Sequence, residues 1–210
     1  MALIGPLDWA VAGERRVPLD HLVTHEEWER DWALREERFE IVDGVPLMTP
    51  FEHPANVDAT CRLAFRVHDV LGSDAWSYLH HVTLRIAGEP LLNYRISDFA
   101  LVRRGTPFGF PLQVAPVELV VEALSPSTRR EDLGRKRLDY ATVGIPNYLV
   151  IDRSASLGLV SAGSVSPRLM LLTRPEGGDY PEPGVDAMGE VVTLRIGGHE
   201  VTLRADDLIR

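Results

Sequence analysis

Lysine is almost missing from this sequence. Lys136 is its only lysine, and arginine fills the other 21 basic positions. Arginine therefore serves wherever a generic surface cation is enough, and a compact ammonium at one position suggests a place where a planar fork would not do. Cysteine is as scarce. Cys61 stands alone, which excludes an intramolecular disulfide and a thiolate zinc cluster. No apolar run approaches the roughly 18 to 20 residues that a membrane span needs. Residues 1–11 are broken by Gly5, Pro6 and Asp8 and hold no basic leader before a long apolar run. No signal peptide is expected there, and the cytoplasm is the expected compartment. There is no Gly-rich nucleotide loop, and Ser125 sits in no nucleophile elbow. Positive charge is short overall. A net charge of −9 counts against a broad basic surface that would hold nucleic acid non-specifically. It leaves room for a local groove, and an acidic surplus is what a cation site needs.

What is present is enough for one core: 210 residues, 45% of them hydrophobic. The expectation is an irregular lead-in over 1–23 and one domain over 24–210. Thr24 and Glu27 form a capping box that opens a helix running to about Arg38. Residues 39–42 read as a strand, Asp43-Gly44 as a hairpin turn and 45–48 as the return strand. Pro50 and Pro54 break the chain. Asn56 or Asp58 caps a second helix to about Leu71, with Val57, Cys61, Ala64, Phe65 and His68 or Val67 on one side. Extended segments follow at 77–86, 98–102 and 117–124, then a helix over about 130–143 stopped by Gly144 and Pro146, then a buried strand over 147–152. The tail has β-like segments at 157–161, 168–173, 190–196 and 199–204, with a loop at 174–189. Together these imply an α/β fold, a mixed β-sheet flanked by helices with extra β segments at the C-terminus.

The candidate chemistry lies in acids placed where apolar residues belong. A carboxylate inside an apolar strand needs a partner or a cation. Glu122 is surrounded by Val120, Val121, Ala123 and Leu124. Asp98 begins an apolar segment, which would place it at a strand end, and Glu40 lies between Phe39 and Ile41. Three such acids suggest a shared polar pocket, and a few carboxylates completed by water and phosphate are what Mg²⁺ accepts. On the helix after Glu122, Asp132, Lys136 and Tyr140 follow i, i+4 spacing and share one side. If that helix packs on the sheet, the Lys136 ammonium reaches the acids. Each residue also has a plainer reading: Glu122 paired with a buried arginine, Asp98 capping a turn, Glu40 on an exposed hairpin, Tyr140 as packing, Cys61 as core. His80 and His81 are adjacent in an extended segment and should point to opposite faces, so they cannot chelate together. His25, His53 and His68 show no ligand spacing.

Several stretches together resemble a known family. They are residues 39–44, Met48-Thr49-Pro50, Glu52-His53, Ser97-Asp98 through Val102, residues 120–128, Asp132 with Lys136 and Tyr140, and Gly144-Ile145-Pro146-Asn147-Tyr148 to Asp152. In order and spacing they are similar to the Uma-type endonucleases of the PD-(D/E)xK restriction-endonuclease-like superfamily, over roughly residues 24–165. The resemblance implies a restriction-endonuclease-like fold and Mg²⁺-dependent hydrolysis of phosphodiester bonds in DNA, with Mn²⁺ as the alternative ion. It makes Asp98 and Glu122 the metal ligands and counts Glu40, Asp98, Glu122 and Lys136 as the catalytic set. The superfamily's usual lysine two residues after the glutamate is replaced by Leu124, and Lys136 takes its place from the next helix. The proline usual before the first acid is Ser97. DNA is the expected partner and a homodimer the expected assembly, with no membrane association. The rival expectation is a non-catalytic protein that keeps the nuclease fold for assembly or regulation.

Overall fold

Most of the extended segments enter one mixed sheet. The computed structural model describes residues 15–33, 35, 37–49, 51–87, 90–105, 107, 109–153, 168–181 and 188–209. Strands β1 (Arg15–Arg16), β3 (Val45–Met48), β2 (Phe39–Val42), β5 (Asn93–Arg103), β7 (Val117–Ala123), β8 (Asn147–Asp152), β9 (Arg168–Thr173) and β10 (Met188–Gly189) lie side by side in that order. β4 (Trp76–Ala87) runs antiparallel along nearly all of β5 and also pairs with the short β6 (Leu112–Gln113). β1 lies within the stretch read as lead-in and pairs with β3. The segment expected at 157–161 lies outside the described residues.

The β2–β3 hairpin turns through Asp43 and Gly44, both at positive φ (50° and 77°), as a two-residue turn of the primed type requires. A Cβ on Gly44 would lie 2.9 Å from Leu22 Cβ, so the turn is tight against the preceding chain. β7 and β8 are parallel. Their crossover is a helix in three continuous pieces: α3 (Arg129–Glu131), a π-helical turn over Asp132–Lys136, and α4 (Arg137–Thr142). Parallel neighbours need such a crossover.

Helices and a second β layer cover the two faces. On one face α2 (Pro54–Leu71) packs Ala59, Leu63 and Val67 against Phe99, Leu101, Leu119 and Val121. The same cluster includes the hairpin of β11 (Val191–Ile196) and β12 (His199–Arg204) and the short α5 (Ala205–Leu208). On the other face Tyr140, Ala141 and Ile145 meet Ala100, Val102, Val120 and Leu124.

Two sequence expectations shift here. Pro54 does not break the chain; it is the first residue of α2, where a missing N–H costs nothing, and His53 caps the helix. The buried stripe of α2 is therefore Asn56, Ala59, Thr60, Leu63 and Val67, while Phe65 is 71% exposed and Cys61 half-buried. The first helix, capped by Thr24 as expected, stops near residue 33 after a π-helical turn over Trp28–Trp32.

Candidate active site

The pocket forms where the sheet forks. A strand has two hydrogen-bonding edges, and β4 takes one edge of β5. The other edge is shared: β2 meets it at Tyr94 and β7 meets it from Phe99 to Val102. Between those points no strand covers β5 among the described residues, so its backbone polar groups need other partners. Side chains supply them. Ile96 N–H donates to Glu40 Oε1 at 2.9 Å, and Ile96 C=O accepts from Lys136 Nζ at 3.1 Å. Further along, Asp98 Oδ2 accepts from the N–H of Ala123 at 2.8 Å, while Asn56 Nδ2 donates to the Ala123 C=O at 2.9 Å. The acids thus sit in a gap inside the sheet rather than at its outer edge. Asp98 is mid-strand, because β5 begins five residues before it. A cavity of about 290 Å³ opens at this fork and is bordered by Glu40, Glu52, Asp98, Glu122, Asp132 and Lys136.

All four residues singled out from sequence border that cavity. Glu40 is 3% exposed, so the exposed-hairpin reading does not apply. Its Oε2 accepts from Arg95 Nη1 at 3.0 Å, and Lys136 Nζ is 3.3 Å from its Oε1. Burial would raise the Glu40 pKa, but Lys136 and Arg95 outweigh it and hold the carboxyl below its ordinary value. Glu122 Oε1 accepts from Tyr140 Oη at 2.6 Å and from Lys136 Nζ at 3.1 Å. Burial pushes the Glu122 pKa well up, against the pull of Lys136. Asp98 and Glu122 fall opposite each other in the register that pairs Phe99 with Val121.

Lys136 is the hub of these contacts. Besides Ile96 C=O, Glu40 and Glu122, its ammonium lies 3.5 Å from Asp132 Oδ1. Asp132 and Lys136 begin and end the π-helical turn, a feature often found at functional sites. A compact ammonium suits acceptors arriving from several directions; a planar guanidinium would not.

Four residues the sequence reading did not assign also shape the pocket or its walls. Glu52 and His81 each place a ligand atom within 4.8 Å of one on Asp98 and of each other. An octahedral ion with ligands about 2.1 Å away spaces neighbouring ligand atoms about 3 Å apart and opposite ones about 4.2 Å, so one cation fits this donor set. Burial, then the Glu52 carboxyl beside it, push the Asp98 pKa well above the ordinary carboxylate range. His81 has φ 52°, a left-handed kink inside β4. Its Nδ1 is 3.2 Å from Arg38 Nη2. Burial and the Arg38 charge lower its pKa, favouring a neutral ring. Asn56 holds the end of β7, as described above. Arg95, fully buried, joins Glu40 of β2 to Glu131 of α3 (2.8 Å) and Asp139 of α4 (2.7 Å). His53 caps α2, its Nδ1 accepting from the Ala55 N–H.

Comparison with known proteins bears on the family and the fold. The model of the Uma2 family, described as “Putative restriction endonuclease”, matches residues 23–205. A solved structure described as “a putative nuclease”, from Anabaena variabilis ATCC 29413, superposes with a TM-score of 0.62 at 13% identity, covering 89% of this chain and 97% of that one. At that identity the likeness speaks for the fold. No curated protein matches the chain.

Proposed function

The chain belongs to the Uma2 family, and on that premise we propose that it is a metal-dependent DNA endonuclease whose active centre is the fork pocket. The observation that carries this reading is one cavity lined by Glu52, Asp98, Glu122 and the lysine hub, with the His81 ring close to Asp98 and Glu52. Asp98 and Glu122 hold a divalent cation, Mg²⁺ or Mn²⁺, and Glu52 joins them. Glu122 does so with its second oxygen, which makes no hydrogen bond among the described residues. When bound, the cation lowers the pKa of a water and offsets charge on the scissile phosphate. Lys136 orients the attacking water or stabilises negative charge growing on phosphorus oxygens. Glu40 is a positioning residue. Both its oxygens are taken by Arg95, Ile96 N–H and Lys136, which fixes the ammonium rather than a ligand of its own. Tyr140 does the same for Glu122. The pocket's surplus of acids repels a phosphodiester, so productive DNA binding requires the cation. Cutting both strands would call for two such centres in a homodimer, which light scattering tests.

The decisive assay is nicking of supercoiled plasmid with Mg²⁺ or Mn²⁺, beside an EDTA control. Glu122→Gln keeps the size and removes the charge. It should cut cleavage at least about a hundredfold, while the metal-free melting temperature changes little, because burial favours the neutral form of Glu122 and Lys136 keeps Glu40 and Asp132 as partners. Cleavage that survives EDTA, or a Gln variant as active as the parent, rejects the mechanism. A parent that cuts no DNA while binding no cation favours the non-catalytic alternative.

A further inference from the structure

We propose that the pocket selects a first-row transition cation such as Mn²⁺ over Mg²⁺ and Ca²⁺, because His81 supplies a nitrogen ligand. This rests on the reading above only in requiring a cation at Asp98. The adjacent His80 and His81 are not equivalent. His80 packs its ring against Phe99 at 5.2 Å between centroids. His81, at left-handed φ, stands across from Asp98, between the paired positions His80–Phe99 and Val82–Ser97. A ring nitrogen of the half-buried His81 comes within 4.8 Å of ligand atoms of both Asp98 and Glu52.

Chemistry then discriminates between ions. Mg²⁺ asks for six oxygens and keeps several of them as water; Ca²⁺ is also an oxygen binder. Imidazole adds affinity for first-row transition ions, which tolerate mixed nitrogen and oxygen shells. Arg38 adds a condition. A guanidinium has donors and no acceptor, so the His81 Nδ1 it contacts is the ring's acceptor nitrogen and the ring proton sits on Nε2. His81 can ligate through Nδ1 once Arg38 withdraws, or through Nε2 once the tautomer reverses, which again requires Arg38 to withdraw. Ligation by His81 therefore frees Arg38, which borders the same cavity and can turn to the phosphate.

The test uses the full metal-free chain and binding, not cleavage. Mn²⁺ is titrated by electron paramagnetic resonance and calorimetry, with Mg²⁺ as competitor. Mn²⁺ should bind at least about tenfold more tightly than Mg²⁺, and its spin-echo spectrum should carry the modulation of a directly bound nitrogen. His81→Asn tolerates left-handed φ and offers an oxygen in place of the nitrogen. It should weaken Mn²⁺ about ten- to a hundredfold, change Mg²⁺ little and abolish the nitrogen signal. A parent spectrum without bound nitrogen, or an Asn variant with an unchanged Mn²⁺ to Mg²⁺ ratio, overturns the role of His81 and leaves the cation site standing. No Mn²⁺ binding by the parent, or binding indifferent to Asp98→Asn, brings down the cation site itself.

Discussion

Around Glu40 each buried carboxylate meets a cation; around Asp98 none does. Arg95 contacts Glu40, Glu131 and Asp139, and Lys136 contacts Glu40, Glu122 and Asp132. Asp98 has the Ala123 N–H and shares its surroundings with Glu52, and neither acid forms an ion pair among the described residues. Glu40 and Asp98 are both buried and border one cavity, while Glu52 beside Asp98 is half-buried. The difference separates acids that hold the fork together from acids left for something to bind. Glu122 lies between the two, with one oxygen taken by Lys136 and Tyr140.

The hardest blow to the compensated cluster is Arg95→Met. Breaking a buried ion-pair network from one side leaves uncompensated charges and costs about 3–5 kcal/mol. Here three acids on three elements lose their shared partner. Urea unfolding should show that loss with an unchanged slope. If Arg95→Met were as stable as the parent, Arg95 would not be what neutralises Glu40, and the contrast would fail.

A milder test is pH, because Glu40 and Asp98 respond with opposite sign. The Glu40 pKa is lowered by folding, so its contribution is present above the ordinary carboxylate value and disappears as pH falls through the folded one. The Asp98 pKa is raised, so its contribution is present at low pH and disappears as pH rises through the folded value. Thermal melts of metal-free protein should therefore decline on both sides of a mildly acidic optimum, by about 2–4 °C for each kcal/mol lost. Saturating Mn²⁺, which binds the ionised carboxylates, should remove the alkaline decline and leave the acidic one. Asp98→Asn should shrink the alkaline decline without metal, leaving the part that Glu122 and Asp132 contribute, since burial raises their pKa values too. An alkaline decline of unchanged size in Asp98→Asn would assign it to those other groups.

The acids of the fork were legible in sequence because burial turns a carboxylate among valines into a contradiction that only a partner resolves. Glu40, Asp98 and Glu122 were found that way, and the lone lysine pointed to Lys136. Arg95 poses the same contradiction between Tyr94 and Ile96 and could have been read likewise. His81 could not. Alternation along an extended strand hides it, and its place depends on a left-handed kink that no local residue preference announces. Glu52 sits in a loop before α2, and its approach to Asp98 is set by how α2 packs on the sheet. The strand order was also beyond sequence. Periodicity marks strands, but the fork depends on which strands end early along β5.

The smallest effect is expected at Tyr140, and it decides to which cluster Glu122 belongs. The Tyr140 hydroxyl donates to Glu122 Oε1 at 2.6 Å, and the ring stacks edge-on against Tyr148 with centroids 5.2 Å apart. Phe keeps the ring and removes the donor, so Tyr140→Phe isolates one hydrogen bond without opening a cavity. Losing a buried bond to a charged acceptor costs about 1.5–3 kcal/mol, and to a neutral one about 0.5–1.5. Burial raises the Glu122 pKa toward the neutral form, so about 1 kcal/mol is expected in metal-free protein. Repeating the change in Glu122→Gln closes a double-mutant cycle. If Tyr140 and Lys136 hold one oxygen so that the other faces the cation, Tyr140→Phe should cost little in the Gln background, and Mn²⁺ affinity should fall only when Glu122 is present. Strictly additive stabilities, with Mn²⁺ affinity unmoved by Tyr140→Phe in either background, would make Glu122 a member of the compensated cluster alone and leave cation binding to Asp98, Glu52 and His81.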